Sequence, residues 1–234
     1  MFPIRDDQPR YSTPVVNYFI IALNTVVFLL ELSVQVQGPR ALDALVFRFG
    51  VVPEHFARAL AGSPQYSIPT SLLTILTSMF LHGGWLHIIF NMWFLWIFGD
   101  NIEDYLGHFT YLIFYLLCGT AAALTQIALD PRSTIPTIGA SGAIAGVMGA
   151  YILLYPKAKV LTLVVLIVFF TFWWLPAWIF LGYWFLLQFF SASITVHQAS
   201  GGVAFGAHVG GFLTGLILIK VFPQRTRSYR YGSW

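Results

Sequence analysis

Long apolar runs, separated by short polar segments, dominate the hydrophobic pattern of this chain. Six of the runs are close to the ~20 residues that a helix needs to cross the hydrocarbon core of a bilayer. We therefore predict an all-α membrane protein, a bundle of six transmembrane helices forming a single domain over residues 1–234. The predicted spans are 15–36, 78–98, 109–129, 140–155, 174–191 and 202–222.

The longest segment between two predicted spans runs from Gln37 to Ser71. Its stretch from Leu42 to Leu60 mixes apolar and charged residues in a way typical of an amphipathic helix lying along the membrane interface. An ordinary polar loop accounts for the same composition, and the sequence leaves both interpretations open.

The apolar run from Val160 to Phe190 is too long for one straight span and too short for two with a turn. Pro176 starts a helix more easily than it continues one, because it lacks a backbone donor. We therefore place residues 160–172 near the cytoplasmic interface and the fifth span after them. The fourth and sixth spans then run in the same direction, which brings Ser141 and His208 to the same membrane face.

Composition agrees with the bilayer as the main solvent of this chain. Hydrophobic residues make up 58% of it, charged residues 9%, and the mean hydropathy is +0.75, whereas a soluble domain carries far more charge. Asp6 and Asp7 lie within the first residues and no small-residue cleavage site follows, so we expect no cleaved signal peptide. Cys118 is the only cysteine, which excludes an intrachain disulfide.

The distribution of basic residues predicts the orientation. The net charge is only +3, and its C-terminal cluster is better explained as a solvated cytoplasmic anchor than as a nucleic-acid site, so we expect no nucleic-acid partner. With six spans, both termini share a side with eight basic residues and are predicted to be cytoplasmic. These eight are Arg5, Arg10, Lys157, Lys159, Lys220, Arg225, Arg227 and Arg230. The opposite side holds four, which are Arg40, Arg48, Arg58 and Arg132.

Strongly polar groups occur in three predicted spans, most of them in the first half of the span. Such groups are costly in a membrane, and each is a functional hypothesis. The three spans are even-numbered and run the same way, so their polar groups converge at one depth below the extracytoplasmic surface. The groups are His82, His87 and Asn91 in the second span, Ser141 in the fourth and His208 in the sixth.

The chemistry available at that depth is limited. These three spans contain no cysteine, aspartate or glutamate, which excludes a cysteine nucleophile or an aspartyl dyad built from them. A serine hydroxyl becomes nucleophilic when a neighbouring base takes its proton, and neutral histidine is such a base near pH 7. His87 and Asn91 are spaced i, i+4 on one helix face and are candidate oxyanion donors, as is the Ser141 amide at a helix start.

Taken singly, several of these residues also fit a structural role. An isolated Ser141 fits a helix cap or a packing serine. His82 fits a structural histidine better than His87 does, because Gly83 and Gly84 separate it from the helix. Glu31, near the end of the first span, is expected to reach for the interface.

Glycines would allow a serine and a histidine on separate helices to meet. The two side chains must approach within ~3 Å, whereas helices usually pack ~8–10 Å apart. Small residues four apart let helix backbones come closer in a membrane. The candidates for close packing are Gly139 beside the serine, Gly142 with Gly146, Gly202 with Gly206, and Gly211 with Gly215.

Together these residues resemble the rhomboid family of intramembrane serine proteases. The matching strings are His-Gly-Gly-Trp-Leu-His-Ile-Ile-Phe-Asn at 82–91, Gly-Ala-Ser-Gly at 139–142 and Ala-His-Val-Gly-Gly at 207–211. The opening Phe-Pro-Ile-Arg-Asp-Asp at 2–7 is similar to small prokaryotic members, which implies a prokaryotic plasma membrane.

The resemblance implies a Ser–His dyad without an acid. Ser141 would attack the scissile carbonyl, and His208 would accept its proton and return it to the leaving amine. His87, Asn91 and the Ser141 amide would hold the oxyanion. The reaction is then hydrolysis of peptide bonds in or near the transmembrane helices of protein substrates within the bilayer. The family uses no metal or organic cofactor, and its site opens to the extracytoplasmic side.

One departure from the family pattern bears on the base. Ala145 lies one turn after Ser141, where some members carry an aromatic that stacks on the base histidine, so other contacts must orient His208. Two further functions are considered. A non-catalytic rhomboid-like protein that binds transmembrane helices would not need both Ser141 and His208. A transporter or channel would need acidic relays or ion ligands within its spans, which we do not find.

Overall fold

The computed structural model of the protein describes residues 1–166, 169–195 and 204–225. These residues form nine α-helices and one three-stranded sheet. The helices are α1 (Val15–Gln35), α2 (Pro39–Phe49), α3 (Pro53–Leu60), α4 (Ile68–Ser78), α5 (Trp85–Leu106), α6 (His108–Leu129), α7 (Ser141–Leu154), α8 (Ala177–Thr195) and α9 (Phe205–Val221). The strands are β1 (Phe2–Asp6), β2 (Lys159–Leu166) and β3 (Phe169–Pro176).

The helices follow the predicted spans closely in three places. Helices α1, α6 and α7 begin and end within one residue of the first, third and fourth predicted spans. Helices α1 and α6 are long and apolar enough to cross a membrane. The six-span arrangement as a whole stays a prediction.

The second predicted span, 78–98, is wrong in its bounds. Helix α4 ends at Ser78 and α5 begins only at Trp85, because Gly83 and Gly84 interrupt the apolar run. At its other end α5 continues to Leu106 through several polar residues. Those polar residues are buried among other parts of the chain, which hydropathy along the sequence does not reveal. They include Asn101, Glu103 and Asp104.

The carboxylate of Glu103 shows why the polar end of α5 is helical and buried. It accepts the backbone N–H groups of Val16, at 2.9 Å, and Asn17, at 2.6 Å. These groups lie in the first turn of α1, where a helix leaves its N–H groups unpaired and favours negative charge. The same carboxylate lies 2.5 Å from Nδ1 of His108, the first residue of α6. One buried group therefore joins the ends of three helices.

The prediction of an all-α protein is wrong for one part of the chain, although the fold is mostly helical. Strands β2 and β3 pair antiparallel, and β1 adds to the other edge of β2, with Phe2 opposite Leu163. The run 160–166 is rich in the β-branched residues that favour strands, and its alternate residues Val160, Thr162 and Val164 are buried. The segment that we placed at the interface is thus a strand pair.

The N-terminal strand is tied to the helical core. The Tyr151 hydroxyl of α7 donates a hydrogen bond to the Asp6 carboxyl, and the Lys159 N–H donates to Asp7 at 2.7 Å. Burial raises the pKa of Asp6 to about 6.

Pro176 ends β3 directly before α8, as expected for a residue that begins a helix more easily than it continues one.

The segment 37–71 is mostly helical rather than an ordinary polar loop. Helices α2 and α3 both start with a proline at the first helical position, where no backbone donor is needed. Gly50 separates them, so the predicted amphipathic helix is two shorter ones. Val51 then forms a two-way backbone bridge with Thr137, at 3.1 and 2.7 Å, which ties this segment to the loop before α7.

Helix α7 is the centre of the helical core. Every residue from Gly142 to Tyr151 is buried, and α7 packs against α5, α6, α8 and α9. A helix that is apolar and enclosed on all sides cannot shift without disturbing its neighbours. The position of its first residue, Ser141, is therefore fixed by the whole bundle.

Glycines bring α7 and α9 into backbone contact. A Cβ added at Gly211 would collide with the carbonyl oxygen of Gly142, and one added at Gly215 with that of Gly146. The order of these contacts shows that the two helices run in the same direction. Two of the other predicted glycines behave differently. Gly206 faces Leu129 and Gln126 of α6 rather than α7, and Gly202 lies outside the described residues.

We expect Gly215→Ala to lower the thermal unfolding midpoint of the purified protein in detergent. The added methyl group would push α9 away from the backbone of Gly146, and overpacking of this kind costs about 1–3 kcal/mol. Gly182→Ala is the matched control, because a Cβ at that helical glycine meets nothing within 4 Å. Equal midpoints for the two variants would contradict the close contact.

Candidate active site

Ser141 and His208 meet at the N-terminal ends of α7 and α9. The distance from Ser141 Oγ to His208 Nε2 is 2.7 Å, which is a hydrogen bond between a hydroxyl and an imidazole. His208 is only 7% exposed. The two residues that the sequence placed at one membrane depth are therefore in direct contact, and the parallel course of their helices is what allows it.

The loop before Ser141 depends on a glycine. Gly139 has φ of +122°, a conformation that other residues rarely adopt. Its N–H donates to the Ser78 carbonyl at 2.8 Å, which fixes the loop to the end of α4. A Cβ at this position would lie 2.6 Å from Nε2 of His87 and 3.7 Å from Nδ2 of Asn91. A glycine is thus needed at position 139 to leave room for two side chains of α5. It does not bring two helix backbones together.

His87 and Asn91 line the α5 side of this loop and offer hydrogen-bond donors. The Gly83 N–H donates to Nδ1 of His87 at 3.2 Å, so a neutral His87 carries its proton on Nε2, the atom nearest Gly139. Asn91 is 7% exposed, and its Nδ2 has no partner among the described residues. The N–H groups of His87 and Asn91 therefore lie beside Gly139, and that of Asn91 is without an acceptor in the part of the chain that the structure describes.

The amide of Ser141 is a third donor in the same region. Ala140 precedes the helix, and the first helical bond of α7 runs from the Ile144 N–H to the Ala140 carbonyl at 3.0 Å. The N–H of Ser141 therefore belongs to the first turn, where no carbonyl within the helix can accept it. The helix start also favours negative charge at this point.

His82 packs against His87, and Glu31 binds the backbone of His82. His82 is 3% exposed and its ring lies 5.1 Å from that of His87, edge to face. The expectation that Glu31 reaches for the interface is wrong, because it is 3% exposed and both of its oxygens lie 3.1 Å from the His82 backbone N–H. Glu31 therefore holds the turn that precedes α5, which no local feature of α1 indicates.

Two residues of α8 contact His208, and the sequence reasoning connected neither of them with this histidine. Oε1 of Gln188 lies 2.7 Å from Nδ1 of His208, and the Trp184 ring lies 5.7 Å from the imidazole between centroids. Their spacing of four residues puts both on one face of α8. This spacing was visible in the sequence, but the rotation of α8 that turns this face toward α9 was not.

Comparison with known protein families assigns the chain to one of them. Residues 69–225, more than half of the chain, match the family model of the Rhomboid domain. The chain belongs to the rhomboid family and is an integral membrane protein.

Individual relatives support the same assignment. The chain is 29% identical over 162 residues to Rhomboid protein 1, mitochondrial, of Saccharomyces cerevisiae, covering 65% of this chain and 42% of the relative. It is 28% identical over 137 residues to Rhomboid protease GluP of Bacillus subtilis, covering 58% and 24%. It is also 33% identical over 86 residues to Inactive rhomboid protein 1 of Drosophila melanogaster, covering 37% and 6%. The chain thus spans less than half of the length of each of these relatives.

We expect Gly139→Ala to lower the unfolding midpoint more than Gly38→Ala does. Both glycines have a positive φ, +122° and +124°, so both variants bear backbone strain, about 1–3 kcal/mol. Only at Gly139 must the new methyl group also displace His87, because nothing lies within 4 Å of a Cβ at Gly38. Thermal unfolding in one detergent measures both variants, and equal shifts would show that His87 does not pack against the loop.

Proposed function

We propose that this protein is an intramembrane serine endopeptidase, which hydrolyses peptide bonds in or near the transmembrane helices of membrane-protein substrates. The observation that carries the proposal is the 2.7 Å contact between Ser141 Oγ and His208 Nε2. A hydroxyl bonded to an unprotonated imidazole nitrogen is the arrangement that activates serine as a nucleophile.

The proposed reaction has two halves. Ser141 Oγ attacks the scissile carbonyl while His208 Nε2 takes the hydroxyl proton, and His208 then protonates the leaving amine. A water molecule, activated by the same imidazole, attacks the resulting ester and releases the second product. No metal or organic cofactor takes part in this scheme.

Stabilisation of the oxyanion is assigned to groups beside Gly139. His87 Nε2–H, Asn91 Nδ2–H and the Ser141 amide are donors near the start of α7. Fixed donors in a water-poor site stabilise developing negative charge strongly, because they need no reorganisation as the charge forms. The Asn91 amide has no acceptor within the described part of the chain, which supports this role, since an oxyanion would supply that acceptor.

The remaining features of the proposal follow from the sequence. We place the chain as one domain of six spans in a prokaryotic plasma membrane, with cytoplasmic termini. The site would open to the extracytoplasmic side and admit water from there. The partners are transmembrane protein substrates and the surrounding lipid.

The alternative is a non-catalytic member that binds transmembrane helices. One observation favours considering it, namely the similarity to a relative named as an inactive rhomboid protein. The hydrogen-bonded Ser141 and His208 favour the enzyme, because helix binding alone needs neither group.

We expect Ser141→Ala and His208→Ala each to abolish cleavage of a reporter transmembrane substrate by the purified protein in detergent. The first variant removes the nucleophile and the second removes its base. Cleavage products are measured on a gel against the wild-type protein. Cleavage that persists in Ser141→Ala would exclude the assigned nucleophile, and absence of wild-type cleavage with retained substrate binding would favour the helix-binding alternative.

We expect Asn91→Ala to lower kcat by ~10²–10³-fold, the usual loss for one oxyanion donor. Asn101→Ala is the matched control, since it removes a buried asparagine from the far end of the same helix. Steady-state kinetics of both variants, compared at equal folded fraction, separate the loss of an oxyanion donor from the general effect of removing a buried asparagine from α5. An unchanged kcat in Asn91→Ala would remove this residue from the oxyanion site.

A further inference from the structure

We propose that Gln188 is a positioning residue that fixes the orientation and the tautomer of His208. The proposal rests on the proposed function and deepens it, turning a two-residue dyad into a chain of three side chains. In this chain Gln188 Oε1 lies 2.7 Å from His208 Nδ1, and His208 Nε2 lies 2.7 Å from Ser141 Oγ.

The tautomer is the first step of the argument. A neutral imidazole carries one proton, and a base must present its other nitrogen without a proton. For His208 to accept at Nε2, its proton must be on Nδ1. That N–H is buried with the ring and needs an acceptor, because an unpaired buried donor is costly. The amide oxygen of Gln188 is the acceptor at this atom, so it selects the tautomer that can deprotonate Ser141.

The reaction itself strengthens this contact. When His208 takes the proton from Ser141 it becomes an imidazolium, and the bond from Nδ1–H to Gln188 becomes charge-assisted. A contact that is stronger in the transition state than in the ground state raises kcat. The amide does this without adding a negative charge to a site at membrane depth, where an ionised group is costly.

Helix α8 also supplies an aromatic contact to the His208 ring, which α7 does not. Ala145 of α7 is fully buried and presents only a methyl group, so it cannot hold an imidazole ring by stacking. Trp184 lies one turn before Gln188 on the same face of α8, and its ring is tilted by 37° to that of His208. Phe205 of α9 meets the imidazole edge to face, at 6.3 Å between centroids. The ring is thus held by Trp184 and Phe205, and Gln188 sets its rotation.

The test compares variants at Gln188 that differ in one property, the ability to accept a hydrogen bond. Gln188→Leu and Gln188→Met retain bulk but offer Nδ1 no oxygen, whereas Gln188→Glu keeps an acceptor in place. Leu187→Ala is the control on the same helix, because Leu187 is 45% exposed and lies beside Gln188 in the chain. Each purified protein is assayed for kcat and KM on a reporter transmembrane substrate. The rate of Ser141 labelling by a fluorophosphonate and the unfolding midpoint are measured in parallel.

We expect Gln188→Leu and Gln188→Met to lower kcat and the labelling rate by about 10–100-fold, the range for losing a hydrogen bond to a charged group. KM should stay near the wild-type value, since Gln188 is assigned no contact with substrate. The unfolding midpoint should change little, because without an acceptor at Nδ1 the neutral ring can carry its proton on Nε2 and donate it to Ser141 Oγ, which avoids an unpaired N–H but removes the base. Gln188→Glu should label and cleave much faster than the other two. Leu187→Ala should match the wild type.

Two results would overturn the proposal. One is wild-type kcat and labelling in Gln188→Leu or Gln188→Met. The other is a Gln188→Glu variant that is as slow as these two at an unchanged midpoint, because a carboxylate still accepts from Nδ1–H. Ser141→Ala run beside them separates this failure from that of the proposed function. If the wild type cleaves and Ser141→Ala does not, the protease assignment stands whatever Gln188 does.

Discussion

The direct contact between the backbones of α7 and α9 is the constraint on which the rest of the site depends. A serine side chain reaches only one atom beyond its Cβ, so Ser141 can touch an imidazole on another helix only if the two helices lie unusually close. Gly211 and Gly215 permit this by leaving room for the carbonyl oxygens of Gly142 and Gly146. Residues that never touch the reacting atoms therefore set the distance between them.

The histidines in and around the site are also held in place, each by a contact with another residue. Gly83 pairs with His87 Nδ1, and this fixes which nitrogen of that ring carries the proton. Glu31 secures the backbone of His82 in the turn before α5. Gln188 approaches His208 from α8. Donors and base are thus oriented before any substrate arrives, which is the condition for strong electrostatic stabilisation in the proposed reaction.

The hydrophobic pattern predicted those helices whose ends are set by the local sequence. Helices α1, α6 and α7 have apolar runs with clear ends, and the placement of Ser141 and His208 near one membrane face followed from the parity of the spans. The polar end of α5, in contrast, is buried by partners from α1 and α6. Strand β1 pairs with a strand about 160 residues away. Gln188 is a polar residue in an apolar helix, which is a local signal, but its contact with His208 depends on the rotation of α8 against α9, which is a property of packing.

The arrangement beside Gly139 supports the proposed peptide hydrolysis rather than the alternative of passive helix binding. A surface that only held a transmembrane helix would be served by apolar side chains and complete hydrogen bonding. Here the buried Asn91 amide lacks an acceptor among the described residues, and the backbone of Gly139 adopts a conformation that few other residues tolerate. The unpaired buried donor costs folding free energy, whereas the conformation at Gly139 is unstrained for glycine and only restricts which residue can occupy the position. An oxygen that gains negative charge beside these donors would offset that cost most fully, and in peptide hydrolysis such an oxygen exists only while the carbonyl is under attack.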